Sequence, residues 1–171
     1  PAETVFVLPN NKNIIMAAQQ CVGLTEKKVV VVPTATIPQG ITAMMNVNLE
    51  AEADEILAAM TESAQGVTTA QITYAARNSD FDGFQINEGD YLALINGKLF
   101  GTDKDIAILL QRLADETRSR DAEFITVFYG EDVSEEEAER TEALFAGVCP
   151  DAELSLLSGG QPVYYYIISI E

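Results

Sequence analysis

Four consecutive valines, Val29–Val32, framed by Lys28 and Pro33, set the first constraint on this chain. A run that is apolar at every position suits a strand covered on both faces, and such strands belong to parallel sheets with helices packed on them. The surrounding order agrees. Ala2–Leu8 reads as a strand stopped by Pro9-Asn10-Asn11, and Asn13 then caps a helix through Ile14, Ile15, Ala18, Cys21 and Val22, closed by Gly23. After the valines come a turn-rich stretch, Thr34 to Gly40, and a short helix over Ile41–Val47. A helix over Glu50–Ser63, capped by Asn48, and a Thr-rich extended run, Val67–Ala76, complete the first half. The pattern predicts an α/β chain opening with a parallel β-α-β-α-β lobe over residues 1–78.

The remainder, residues 79–171, reads as a mixed-sheet α+β lobe in the order β-β-α-β-α-β-β. Tyr91–Ile95 and Lys98–Gly101 flank Asn96-Gly97, a strong signal for a two-residue hairpin turn. Thr102 or Asp103 opens a helix carrying Ile106, Leu109, Leu110 and Leu113, followed by a strand over Glu123–Tyr129. Ser134 and Glu137 have capping-box spacing ahead of an acidic helix that turns Ala138, Leu144 and Phe145 inward and stops at Gly147. Leu154–Leu157 and Val163–Ile170 are the last strands, and in the latter Tyr164, Tyr165 and Tyr166 alternate faces. The polar segment Arg77–Gly89 is the natural seam between the lobes.

With 171 residues, 47% of them hydrophobic, the chain can bury a core without staples. Cys21 and Cys149 form no CxxC or zinc spacing and read as a pair of buried thiols, with a disulfide between them as the alternative. No apolar run approaches the ~20 residues of a membrane helix, and no leader pattern opens the chain, so a cytoplasmic protein is expected. A strand-like run at the very start is what a domain cut from a longer chain would show. The net charge of −17 argues against nucleic acid or anionic membrane as partner. The absence of histidine removes imidazole bases and imidazole metal ligands.

The charge is unevenly spread: residues 1–85 carry 4 basic and 9 acidic side chains, whereas residues 86–171 carry 6 and 18. Glu131, Asp132, Glu135, Glu136 and Glu139 fall in the densest stretch. They read either as a face that docks a basic partner or as a solvated helix surface whose dipole favours acids in its first turn. Asn10, Asn11 and Asn13 follow the first strand, and Thr34, Thr36 and Gln39 follow the second. In a parallel sheet both sets reach the same carboxyl edge, where they line a small polar crevice or simply make turns and caps. Ser158-Gly159-Gly160-Gln161 resembles a phosphate-cradling turn only loosely, since neither Gly-rich nucleotide pattern is present, and a plain turn serves as well. Asp80 with Asp82, or Asp103 with Asp105, lack a third carboxylate for Mg²⁺, so no metal site is expected. No serine, cysteine or carboxylate has a recognisable activating base, so no catalytic residue is assigned.

Two stretches, LPNNKNIIMAAQ (Leu8–Gln19) and KVVVVPTATIPQGITAMMNVN (Lys28–Asn48), together with the closing GGQPVYYYIISIE (Gly159–Glu171), resemble the C-terminal domain of YloV/FakA-type proteins. These are the ATP-binding subunits of bacterial fatty acid kinase, also called dihydroxyacetone kinase-like or DAK-domain proteins. The resemblance implies a DegV/FakB-like fold. It implies a separate kinase domain of the same polypeptide that binds ATP and Mg²⁺ and phosphorylates a fatty acid carboxylate. It further implies a DegV/FakB-type fatty-acid carrier as the partner docked by this domain. The Asp-rich Mg-ATP motif of the kinase domain is missing, so the domain alone is not expected to transfer phosphate. DegV-type carriers use a histidine near the C-terminal Gly-rich segment, whereas that region of this chain reads Ser158-Gly159-Gly160-Gln161 and the chain has no histidine, which implies a ligand site altered or lost. The rival readings are a DegV-like module for a small anion or lipid, using Asn10–Asn13, Thr34–Thr36, Gln39 and Gln161, and an independent phosphotransferase or phosphatase.

Overall fold

The computed structural model describes residues 2–81 and 84–171. It divides into two compact units, Pro1–Val67 and Thr68–Glu171. In the first, β1 (Thr4–Val7) and β2 (Lys28–Val31) pair in parallel, Thr4 opposite Lys28 and Val7 opposite Val31, joined by α1 (Lys12–Cys21) and a 3-10 turn over Val22–Leu24. Two further helices follow, α2 (Ile37–Met45) and α3 (Ala53–Gly66). They seal a small core of Val32, Ala43, Ile56, Met60 and Ala64, with Phe6 and Leu8 packed against it.

The helix starts differ from the sequence reading for local hydrogen-bonding reasons. Asn11, not Asn13, caps α1: its backbone is extended and its side chain accepts the Asn13 N–H at 2.9 Å. The stretch Ile37–Gly40, expected as turn, is the first turn of α2. Thr36 caps it by accepting the Gln39 N–H at 3.4 Å, and the Gln39 side chain accepts the Ala35 N–H at 2.8 Å. Pro38 is tolerated there because a first-turn N–H has no helical acceptor anyway. Asn48 accepts from Glu50 at 3.1 Å, which makes a turn, so α3 begins later, after Glu52.

The second unit is built on one six-stranded sheet in the order β7-β6-β3-β10-β8-β9. Its strands are β3 (Thr68–Tyr74), β6 (Tyr91–Ile95), β7 (Lys98–Asp103), β8 (Phe124–Tyr129), β9 (Glu153–Ser158) and β10 (Tyr166–Ile170), with α4 (Ile106–Arg118) and α5 (Glu135–Val148) between them. The sheet is mixed: β8 and β9 are parallel, and β10 runs antiparallel to both β3 and β8. The seam therefore falls after Val67 rather than after residue 78. The extended run β3 joins the second sheet, where Ile72 pairs with both Tyr166 and Ala93. The Arg77–Gly89 segment, expected as a connection, holds a small hairpin of β4 (Ser79–Phe81) and β5 (Phe84–Ile86); Asp82 lies outside the described residues.

The hairpin at Asn96-Gly97 forms as expected, both residues taking positive φ (49° and 73°) as a type I′ turn requires. Asn96 also locks onto β3, donating its N–H to Thr69 O at 2.8 Å while its side chain accepts the Thr69 N–H at 2.9 Å. Thr102 and Asp103 stay in β7, so Asp105 becomes the cap of α4, accepting from Ala107 at 2.9 Å. Leu109, Leu110, Leu113 and Ala114 of α4 meet Ala138 and Phe145 of α5 over Ile72, Ile125, Val127 and Ile168 of the sheet. The last strand begins only at Tyr166, because Val163 adopts φ 72° and breaks the extended run. Tyr164 and Tyr165 thus precede the strand, half-buried, instead of alternating within it. Both thiols are free; Cys149 is buried, but Cys21 is exposed, because α1 buries none of its residues.

Candidate functional site

At the carboxyl edge of β1 and β2 the two Asn/Thr loops do meet. The Asn10 N–H donates to Thr34 Oγ1 at 3.1 Å, with Asn10 in the left-handed region (φ 53°) and Thr34 completely buried. A crevice of about 420 Å³ opens here, lined by Leu8, Asn10, Gly40, Ile41, Met44 and Met45. Of the two roles read from the loop composition, lining a polar crevice or making turns and caps, the second accounts for most of these residues. Thr34 is spent on Asn10, Thr36 and Gln39 on capping, and the Asn11 side chain on the Asn13 N–H, which leaves α2 to supply an apolar wall. Gly40 lets that wall approach: a Cβ there would collide with the Asn10 side chain, whose Oδ1 is buried and has no hydrogen-bond partner among the described residues. Gly40, Met44 and Met45 escape the sequence reading; the signal is the helical spacing of Gly40 and Met44 once Thr36 is taken as the cap. Gln161 is placed in the second unit, where its amide donates to Phe128 O at 3.2 Å and Tyr164 O at 3.3 Å, tying down the loop before β10.

In the second unit Glu131, Asp132, Glu135, Glu136 and Glu139 are all exposed, on the loop entering α5 and on its first turns. Among the described residues only Glu136 of these five has a basic partner within 4.0 Å, Arg140 at 3.7 Å across one helical turn. An exposed pair of this kind contributes little. The neighbouring Glu137 has a structural task. Ser134 caps α5, and Glu137 accepts from the Ser134 hydroxyl at 2.5 Å and from its N–H at 3.0 Å.

The Ser134 hydroxyl, and after it the Ser134 N–H, hold the Glu137 carboxyl below the usual glutamate value. A depressed carboxyl contributes stability above its unfolded value, near pH 4.3, and the contribution disappears as pH falls through the folded value. Glu137→Gln, which keeps an acceptor but cannot titrate, is therefore expected to flatten the acid limb of a stability–pH curve below about pH 4.5. Unchanged acid limbs in urea titrations at pH 3 to 6 would sink this assignment.

Beside the acidic turn, a groove of about 380 Å³ lies between α4 and α5, walled by Ile106, Leu110 and Leu144 and floored by Tyr165 and Tyr166. Tyr166 OH accepts from Thr141 Oγ1 at 3.0 Å, and burial pushes its phenol pKa up. Asp132, Glu137 and Arg140 stand at its rim. Among the described residues no three Asp, Glu or Cys side chains converge as metal ligands. Asp103 accepts from Asp105 N–H at 3.0 Å and Asp105 caps α4, so both carboxylates serve the turn. Among the described residues no helix is long and apolar enough to cross a membrane.

A family model describing the FakA-like C-terminal region of fatty acid kinase matches residues 1–171. The chain belongs to this FakA-like C-terminal family. The FakA-like domain is 39% identical over 170 residues to protein YloV of Bacillus subtilis, a match covering 99% of this chain and 31% of YloV. The domain thus spans about a third of the length of that curated relative. Among solved structures it is similar to the DegV family protein Cg2579 of Corynebacterium glutamicum (TM-score 0.70, 14% identity, 98% of this chain and 75% of that one). It is also similar to the fatty acid kinase B3 protein of Streptococcus pneumoniae loaded with linoleic acid (TM-score 0.66, 11% identity, 99% of this chain and 72% of that one). At such identities the likeness fixes the fold. The FakA-like domain is an α/β protein of DegV type, with a parallel sheet in one unit and a mixed sheet in the other.

Proposed function

We propose that this FakA-like domain is the part of a fatty acid kinase that docks a DegV-type fatty-acid carrier, so that a kinase domain of the same polypeptide, using ATP and Mg²⁺, can phosphorylate the acyl carboxylate. The observation that carries this reading is the match of a fatty acid kinase family along the whole chain. Its contribution is position: holding carrier and kinase together turns an encounter in solution into a step within one complex. The α5 face supports the reading physically. Glu131, Asp132, Glu135 and Glu139 are exposed in a chain of net charge −17, which suits the capture of a carrier with a basic patch.

Calorimetric titration with a fatty-acid-loaded DegV-type carrier at low and high salt tests it. Saturable binding that weakens with salt is expected, and the triple variant Glu135→Lys, Glu136→Lys, Glu139→Lys is expected to slow association roughly tenfold at low ionic strength. Wild-type association by the triple variant would remove this face from the interface, and no binding at either salt would remove the docking reading.

A second reading, a lipid-binding module, is favoured by one observation, the apolar crevice beside the unpartnered Asn10 oxygen. Ile41→Glu, at an exposed lining position, is expected to abolish oleate binding in native mass spectrometry while leaving the fold intact. Equal oleate occupancy in both proteins would discard the crevice.

A further inference from the structure

The first unit is unfinished as a packing unit. Its parallel sheet has only two strands among the described residues. The Lys28 N–H bonds Glu3 O at 3.1 Å and the Val32 N–H bonds Val7 O at 2.9 Å, which fixes the alternation of the ladder. Thr4 and Phe6 therefore aim their N–H and C=O groups away from the pair on one edge, Val29 and Val31 on the other. Two strands are marginal as a sheet, and parallel strands are normally found inside larger sheets covered by helices. The helix that should provide cover is itself uncovered. α1 has the composition of a packed helix, with Ile14, Ile15, Met16, Ala17 and Ala18 in its centre, yet none of its residues is buried. Met16 is 70% exposed and Leu24, in the following turn, 81%. The molecule thus leaves an apolar helix face and two open strand edges in the same unit.

Two lengths indicate what closes it. A quarter of the Corynebacterium chain has no counterpart in this domain, although the match covers 98% of the domain. The domain is in turn only 31% of YloV. More chain accompanies this fold in both cases, by different amounts.

We infer that an extended segment of the longer FakA-like polypeptide, outside residues 1–171, adds a strand to the open β1–β2 sheet and packs its flanking residues on α1. The recognition is of the strand-addition kind: main-chain hydrogen bonds to Thr4 and Phe6 or to Val29 and Val31, with alternate apolar side chains against the sheet and α1. The domain is then wired to the rest of its own polypeptide through the first unit. The inference uses no residue of the α5 face, so it stands whether or not the carrier docks there.

Cys21 is a built-in reporter. It is exposed here and lies seven residues after Ile14, on the same face of α1. In the full-length FakA-type protein carrying this domain, iodoacetamide is expected to modify Cys21 at least tenfold more slowly in the folded chain than in the urea-unfolded chain, with peptides resolved by mass spectrometry. Buried Cys149 reports that the second unit is folded. Hydrogen exchange on the same full-length protein is expected to show protected amides at Thr4 and Phe6 or at Val29 and Val31. Rapid modification of Cys21 with all four amides unprotected, while Cys149 stays protected, overturns the inference. Protection that appears only at high protein concentration assigns the edge to a second copy, and protection that needs the loaded carrier assigns it to the carrier; each of these also overturns it.

Discussion

Phe145→Ala is expected to lower the stability of the Thr68–Glu171 unit by about 4 kcal/mol. Phe145 is the largest side chain among the completely buried residues, reaching from α5 into the cluster formed by Ile125, Val127 and Ile168 with Leu109 and Leu113. Truncation removes its transfer free energy and leaves a hole that a sheet and two helices, all held by backbone hydrogen bonds, cannot collapse to fill. The helix that would shift is the one carrying Glu135, Glu136 and Glu139. Urea unfolding followed by far-ultraviolet circular dichroism measures the loss; a change below about 1.5 kcal/mol would mean that α5 is not anchored in this way.

The second large effect concerns Gly130, at the end of β8. A Cβ there would run into two backbone oxygens, Tyr164 O and Gln161 O. The same loop is pinned from both sides, by the Gly130 N–H to Tyr165 O at 2.9 Å and by the Glu131 N–H to Gln161 O at 3.1 Å. Thr73 adds a third tie, its hydroxyl donating to Val163 O at 2.9 Å. Because the obstacle is main chain, relief requires moving the loop and breaking those bonds, so Gly130→Ala is expected to cost roughly 2 kcal/mol or more. Gly147, inside α5 with open space around its Cα, is the control: Gly147→Ala is expected to gain up to about 1 kcal/mol through helix propensity. Melting temperatures moving in opposite directions check the pair, and a neutral Gly130→Ala would contradict the close approach.

Much of this architecture is legible because its signals are local. The valine run, the Asn96-Gly97 turn and the Ser134–Glu137 capping box each depend on a few adjacent residues, and each appears where the sequence puts it. The starts of α1 and α2 are displaced because several Asn and Thr residues compete for each cap, and the winner is set by backbone angles. The strand at Thr68–Tyr74 is visible as a strand, but its sheet is not. Its partners, Tyr166–Ile170 and Tyr91–Ile95, are chosen by long-range packing that no local pattern encodes. The crevice is only half legible from sequence, where the same Asn and Thr residues read equally as lining groups or as turns and caps. Turn and cap bonds consume most of them, and the wall comes from Gly40, Met44 and Met45 on a helix whose beginning reads as turn. The five carboxylates of the α5 region stand out from charge density alone, and surface charge needs no tertiary information to be located.

The position of β10 has a consequence for how the molecule is made. The strand that lies between β3 and β8 is the last of the sheet to be synthesised. While a ribosome is still extending the chain, Pro1–Val67 has already been synthesised, but the second unit exists as two separate ribbons, β7-β6-β3 and β8-β9, each with a bare inner edge. Residues Tyr166–Ile170 must emerge before either edge is satisfied, and they close contacts of high sequence separation, which is a slow step. Nascent or truncated chains lacking these five residues would expose two sticky β-edges at once, so holdase chaperones and proteases would find their substrate in the half-made sheet.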